Sequence, residues 1–165
     1  MTRSIRVAFV LFVVWTAAAA LAQEGAKKSF EQLKSLAGSW EGKNSMGEAL
    51  QVSFKVTSGG SALLSEIQGH GEDMITMFHL DGPNKLELTH YCGAGNQPRM
   101  LATISPDGKT ITFDYQDATN LASPDAGHMQ RVVIAILDTN HHTEEWTFAD
   151  HGKQTKELED LRRKM

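Results

Sequence analysis

Hydrophobic positions divide the chain into three regimes. They are nearly continuous from Val7 to Ala20, recur at helical spacing from Phe30 to Ala37, and alternate with polar positions from Trp40 onward. In the second regime Phe30, Leu33 and Leu36 with Ala37 fall on one helix face. Ser29 stands at the cap position with Gln32 three residues on, and Gly38 is the stop, so a helix is expected over Ser29–Leu36.

The third regime has period two, broken by turn residues at short intervals. It predicts strands at Trp40–Ser45, at Glu48–Thr57 (where Leu50, Val52, Phe54 and Val56 alternate), and at Ala62–Gln68 beyond the Ser58-Gly59-Gly60-Ser61 turn. The clearest hairpin joins Met74–Leu80 to Lys85–Cys92 through Asp81-Gly82-Pro83-Asn84. Setting Leu80 opposite Leu86 puts Phe78 opposite Leu88, Thr76 opposite His90 and Met74 opposite Cys92. That apolar face carries His90 and Cys92 inward and leaves His79, Glu87 and Tyr91 outside.

Further strands are expected at Arg99–Ser105 and Lys109–Tyr115, with Leu101, Thr103, Ile111, Phe113 and Tyr115 sharing a face. Residues 116–127 read as the longest loop, and Met129–Leu137 with His142–Phe148 as another hairpin. Leu158 and Leu161 fit a strand or a helix equally well, so 155–163 stays open. One helix and nine or ten short strands without crossover helices predict an all-β domain, an antiparallel up-and-down β-barrel. Closure would remove the exposed strand edges, and a two-sheet sandwich is the alternative.

The first regime has a different meaning. Arg3 and Arg6 precede the apolar run, and Ala20-Leu21-Ala22 is the small-x-small pattern of a signal-peptidase site. The run is short for a membrane span of about 20 residues. A signal peptide over 1–22 and a single domain over 23–165 are therefore expected, secreted or periplasmic, with no membrane span after cleavage. Cleavage would leave 14 basic against 20 acidic residues. That acidic balance, with no basic cluster, argues against nucleic acid as a partner. Cys92 is the sole cysteine, which excludes an intramolecular disulfide and leaves the core to hold the fold. Oligomeric state is not legible.

Leu36-Ala37-Gly38-Ser39-Trp40-Glu41-Gly42 resembles the entry motif of lipocalin-like and related calycin barrels. Thr89-His90-Tyr91-Cys92, Gly95-Asn96-Gln97-Pro98-Arg99-Met100, Gly127-His128-Met129 and Trp146 resemble a group of uncharacterised exported bacterial proteins near the nitrobindin-like barrels. The resemblance implies a barrel whose mouth or interior holds a small ligand. Nitrobindins hold haem through a histidine near the C-terminal end of the barrel, and 155–163 contains none. No cofactor is otherwise indicated.

The candidate chemistry centres on His90 and Cys92, two residues apart on one strand and so on one face. Two such side chains, with His128 or His142 as a third, would suit zinc or copper in a metal-assisted enzyme. The competing explanation is a hydrogen-bonded core histidine and a small buried thiol. No His-Glu-x-x-His spacing, Cys-x-x-Cys pair or nucleophile turn marks an enzyme. Asn96, Gln97 and Arg99 form a polar cluster suited to an anionic or polar ligand at a barrel mouth, or to satisfying their own loop. Tyr115 is expected to face inward, and Arg131 with Glu144 to form a buried pair if both do. Trp146 belongs to the same candidate interior, whereas Glu144-Glu145 straddle their strand and make no dyad. The expected function is an exported barrel binding a small apolar or amphipathic molecule; the alternatives are the His90/Cys92 enzyme and a structural envelope protein with a filled barrel.

Overall fold

The computed structural model describes residues 25–69 and 73–165. The proposed leader, 1–22, and His70 lie outside them. A helix, α1 (25–34), precedes ten strands: β1 (Gly38–Asn44), β2 (Ala49–Thr57), β3 (Ala62–Gln68), β4 (Met74–Leu80), β5 (Leu86–Tyr91), β6 (Gln97–Ile104), β7 (Thr110–Thr119), β8 (His128–Asp138), β9 (His141–Asp150) and β10 (Lys153–Arg163). Each strand pairs antiparallel with its sequence neighbours, and β1 pairs with β10 to close the barrel. The sandwich alternative falls.

The expected hairpin register holds for three pairs. Leu80 lies opposite Leu86, Phe78 opposite Leu88 and Thr76 opposite His90. Closure depends on the entry motif. Gly42 lies opposite Leu161, and a side chain on it would overlap the Asp160 carbonyl. Gly38 has φ +127°, in the region that favours glycine, where the chain turns from helix to strand.

One end of the barrel is solid. Phe30, Leu33 and Leu36 share a buried cluster with Trp40, Phe54, Phe78 and Phe113. The Trp40 indole donates to the Leu36 carbonyl at 2.7 Å. Arg163 ties this end together: its guanidinium donates to the carbonyls of Ser35, Ala37 and Thr139 and lies 4.3 Å from the Trp40 ring.

Three expectations need correction, and one open segment is resolved. The helix starts earlier than Ser29, which is buried within it rather than capping it. On β6 the inward residues are Met100, Ala102 and Ile104, opposite Tyr115, Phe113 and Ile111, so Leu101 and Thr103 face outward. Apolar residues occupy both faces of β6, and only the tight Ser105–Thr110 turn sets the register. β7 continues to Thr119, shortening the long loop. Residues 155–163 belong to a strand, because the open edges of β1 and β9 take both sides of β10.

Candidate functional site

The end opposite α1 is open, and the elements entering it carry a polar chain through an apolar interior. His90, near the end of β5, is fully buried, and its Nδ1 lies 2.8 Å from Oγ1 of Thr76, its cross-strand partner on β4. Its Nε2 is buried with no hydrogen-bond partner. Burial pushes the His90 pKa down to about 4, so the imidazole is neutral near pH 7. A neutral ring offers one donor and one acceptor, and Thr76 occupies one of them.

The His90 ring packs against Trp146, centroids 4.8 Å apart. Trp146 sits on β9, which lies across the barrel from β4 and β5, so this contact spans the interior. Alternation on β9 places His142, Glu144 and Trp146 on the same face. The Trp146 indole donates to Glu144 Oε2 at 3.1 Å, and His142 Nε2 lies 3.2 Å from Glu144 Oε1. His142 is held edge-on to Trp40, centroids 4.3 Å apart, and its Nδ1 has no partner. The chain thus runs from Thr76 through His90, Trp146 and Glu144 to His142.

β10 adds two carboxyl groups to this interior. Glu159 is buried and lies directly opposite Glu144, while Glu157 lies opposite Trp146. Asn44, on the other flank of β10, donates through Nδ2 to Glu157 at 2.9 Å. Glu157, Glu159, His90 and Trp146, with Ile67, Met74, Met129 and Phe148, border a cavity of about 210 Å³. Since a water occupies about 30 Å³, it has room for roughly seven, the scale of one small ring with a polar head.

The other expected site residues do not converge there. Cys92 lies just beyond β5 and is half-buried; its backbone N–H and C=O close the turn to Asn96 and Gly95. β5 ends at Tyr91, and Cys92 is not among the described residues that border the cavity beside His90. Asn96 is buried but donates to the Gly127 carbonyl, and Gln97 bonds to the Gly95 carbonyl and accepts from Thr119. Those bonds stay within the loop and the segments beside it, although the Asn96 Oδ1 is buried without a partner. Arg99 is exposed and pairs with Asp117, its Nε donating at 2.6 Å, because a register shift between Arg99 and Met100 sets Asp117 opposite it. The Asp117 carboxyl is held below its ordinary range by that hydrogen bond. Arg131 likewise faces out to Asp114, whereas Glu144 faces in, so the two form no pair. Tyr115 is half-buried, its ring 4.5 Å from that of His128. His128 bonds the Ala126 carbonyl and Gln130 rather than extending the His90 site.

Sequence reasoning missed the Glu144/Glu159 pair. Glu144 was legible as inward only if its neighbour was outward, and Glu159 sits in the segment whose conformation was open. Among the described residues no three His, Cys, Asp or Glu side chains gather as a metal site. β10, where the resemblance would put a haem-holding histidine, carries none.

No family model matches this chain. No curated protein matches it either. Among solved structures it is similar to the crystal structure of Rv2717c from M. tuberculosis, with a TM-score of 0.60. The match covers 83% of this chain and 98% of that one at 16% identity, a likeness that shows the fold alone. The ten-stranded antiparallel barrel is read from this chain's own strand order.

Proposed function

We propose that this protein is an exported binding barrel that holds a small amphipathic molecule in the open-end cavity. The observation that carries the reading is the buried His90 Nε2, left without a protein partner in the wall of that cavity. A buried polar atom costs about 1–3 kcal/mol when unsatisfied, so a ligand atom bonded to it would recover that energy. The division of the interior supports the same reading. The helix end is filled by Trp40, Phe54 and Phe78, while the mouth end keeps a space walled by Met74, Met129 and Phe148. A structural protein with a filled barrel would need no such space. The metal-assisted alternative has less support, since no His, Cys, Asp or Glu cluster suited to a metal gathers among the described residues. Export rests on the leader pattern of residues 1–22.

Native mass spectrometry of protein freshly recovered from its own host tests the reading. A stoichiometric mass excess that disappears on denaturation is expected, and Met74→Trp, which fills the mouth, should abolish it. Protein that is always empty, and takes up no small organic molecule at millimolar concentration, would overturn it.

A further inference from the structure

The two ring nitrogens of His90 stand in different circumstances. Nδ1 lies 2.8 Å from Oγ1 of Thr76, and Nε2 is buried without a partner. Burial keeps the ring neutral near pH 7, so a single proton sits on one nitrogen or the other. Which nitrogen holds it decides what the ring offers a guest, an N–H donor or a bare lone pair. The surrounding hydrogen-bond network fixes proton positions of this kind.

Thr76 distinguishes the two arrangements. Its side chain is fully buried on β4, and His90 is its one side-chain hydrogen-bond partner among the described residues. With the proton on Nδ1, the ring would donate to the Thr76 oxygen, and the hydroxyl hydrogen would have no acceptor. Two buried polar groups would then be orphaned, that hydrogen and the Nε2 lone pair. With the proton on Nε2, the hydroxyl donates to Nδ1, and the Nε2 N–H alone is left over. Leaving a buried polar group unbonded costs more than a typical bond returns, so the second arrangement prevails.

The ring is also held in place for this role. Thr76 anchors one edge, and Trp146 packs against it with centroids 4.8 Å apart. The Trp146 indole N–H is already given to Glu144 Oε2. His90 borders the open-end cavity with Ile67, Met74, Met129 and Phe148, which supply apolar wall around the donor. An oxygen brought in on a guest would satisfy the buried N–H. A cavity of about 150 Å³ holds benzene; at about 210 Å³ this one adds room for a short polar head.

We propose that the ligand is a hydrogen-bond acceptor: a carbonyl or ether oxygen, carried on one ring or a short apolar chain, that accepts from the Nε2 N–H of His90. This rests on the binding reading above and adds the polarity of the ligand's head.

Nitrogen-15 NMR at pH 7, with the His90 ring assigned by through-bond correlation, should show Nε2 protonated and Nδ1 bare. A proton on Nδ1, or on both nitrogens, overturns the acceptor assignment. Acetophenone and α-methylstyrene then probe the cavity, since they differ only in a carbonyl oxygen against a methylene on one frame. Calorimetric titration of protein dialysed free of resident molecules gives their affinity ratio. His90→Phe should shift that ratio against acetophenone by about fivefold. Comparing the ratio between the two proteins cancels the probes' different costs of leaving water. A ratio unmoved by the substitution overturns the assignment while leaving small-molecule binding intact. If His90→Phe fails to fold by circular dichroism, the proton position decides. Binding of neither probe to the wild type at millimolar concentration overturns both readings.

Discussion

His90 combines burial, neutrality and an unused nitrogen, and each has a consequence that can be measured. Its folded pKa is about 4 against an ordinary 6.5. Between those values the unfolded chain takes up a proton that the folded one refuses, so the group's contribution to stability is present above pH 6.5 and is lost as pH falls to 4. Urea unfolding should show wild-type protein losing about 2 kcal/mol more than His90→Phe between pH 7 and pH 5. The comparison with the variant cancels the titration of groups both proteins share. Parallel pH profiles for the two would show that His90 is not held neutral. The residue's inward direction was legible from alternation with Leu86 and Leu88. Its missing partner was not, because that depends on what β9 and β10 place opposite it, more than fifty residues away in sequence.

At the scale of elements, the seam between β1 and β10 decides whether the barrel exists. Its five residue pairs run from Trp40 opposite Arg163 to Asn44 opposite Glu159, with Gly42 in the middle. Gly42→Ala forces a methyl group into the Asp160 carbonyl and should cost on the order of 2–4 kcal/mol, read as a lower urea midpoint. Amide exchange should quicken first in β1 and β10, the strands whose pairing is disturbed. An unchanged midpoint and exchange pattern would mean the seam tolerates the extra atom. The same seam places Glu159 inside, so the closure and the acidic face of the cavity are one structural event. Hairpin registers such as Thr76 opposite His90 could be read locally, since a short turn and one apolar face leave little choice. On β6 both faces carry apolar residues, and the expected face was off by one residue.

At the scale of the whole barrel, the ten strands and α1 of the described residues divide the interior into a packed half and a cavity half. The proposed export has its own check at this scale. Mass analysis of protein recovered outside the cytoplasm should give a chain beginning at Gln23, and a chain retaining Met1 within the cytoplasm would contradict it. Outside the cytoplasm a barrel with a single cysteine would depend on its core for stability, which is where Leu33, Leu88, Phe113 and Ile134 are completely buried.

What the sequence determined by itself was local and periodic. Alternation, turn residues and the Gly38-Ser39-Trp40-Glu41-Gly42 motif are short-range signals, and they suffice for an all-β chain of hairpins with His90 and Trp146 turned inward. Tertiary structure decided which side chains meet. Cys92 falls just past the end of β5 and is not among the described residues bordering the cavity. Arg99 and Arg131 found outer-face acids on β7, Asp117 and Asp114. Glu157 and Glu159 entered because the unpaired edges of β1 and β9 claimed the last segment as a strand. Such pairings join residues far apart in sequence, and their energy exists only once the barrel has closed.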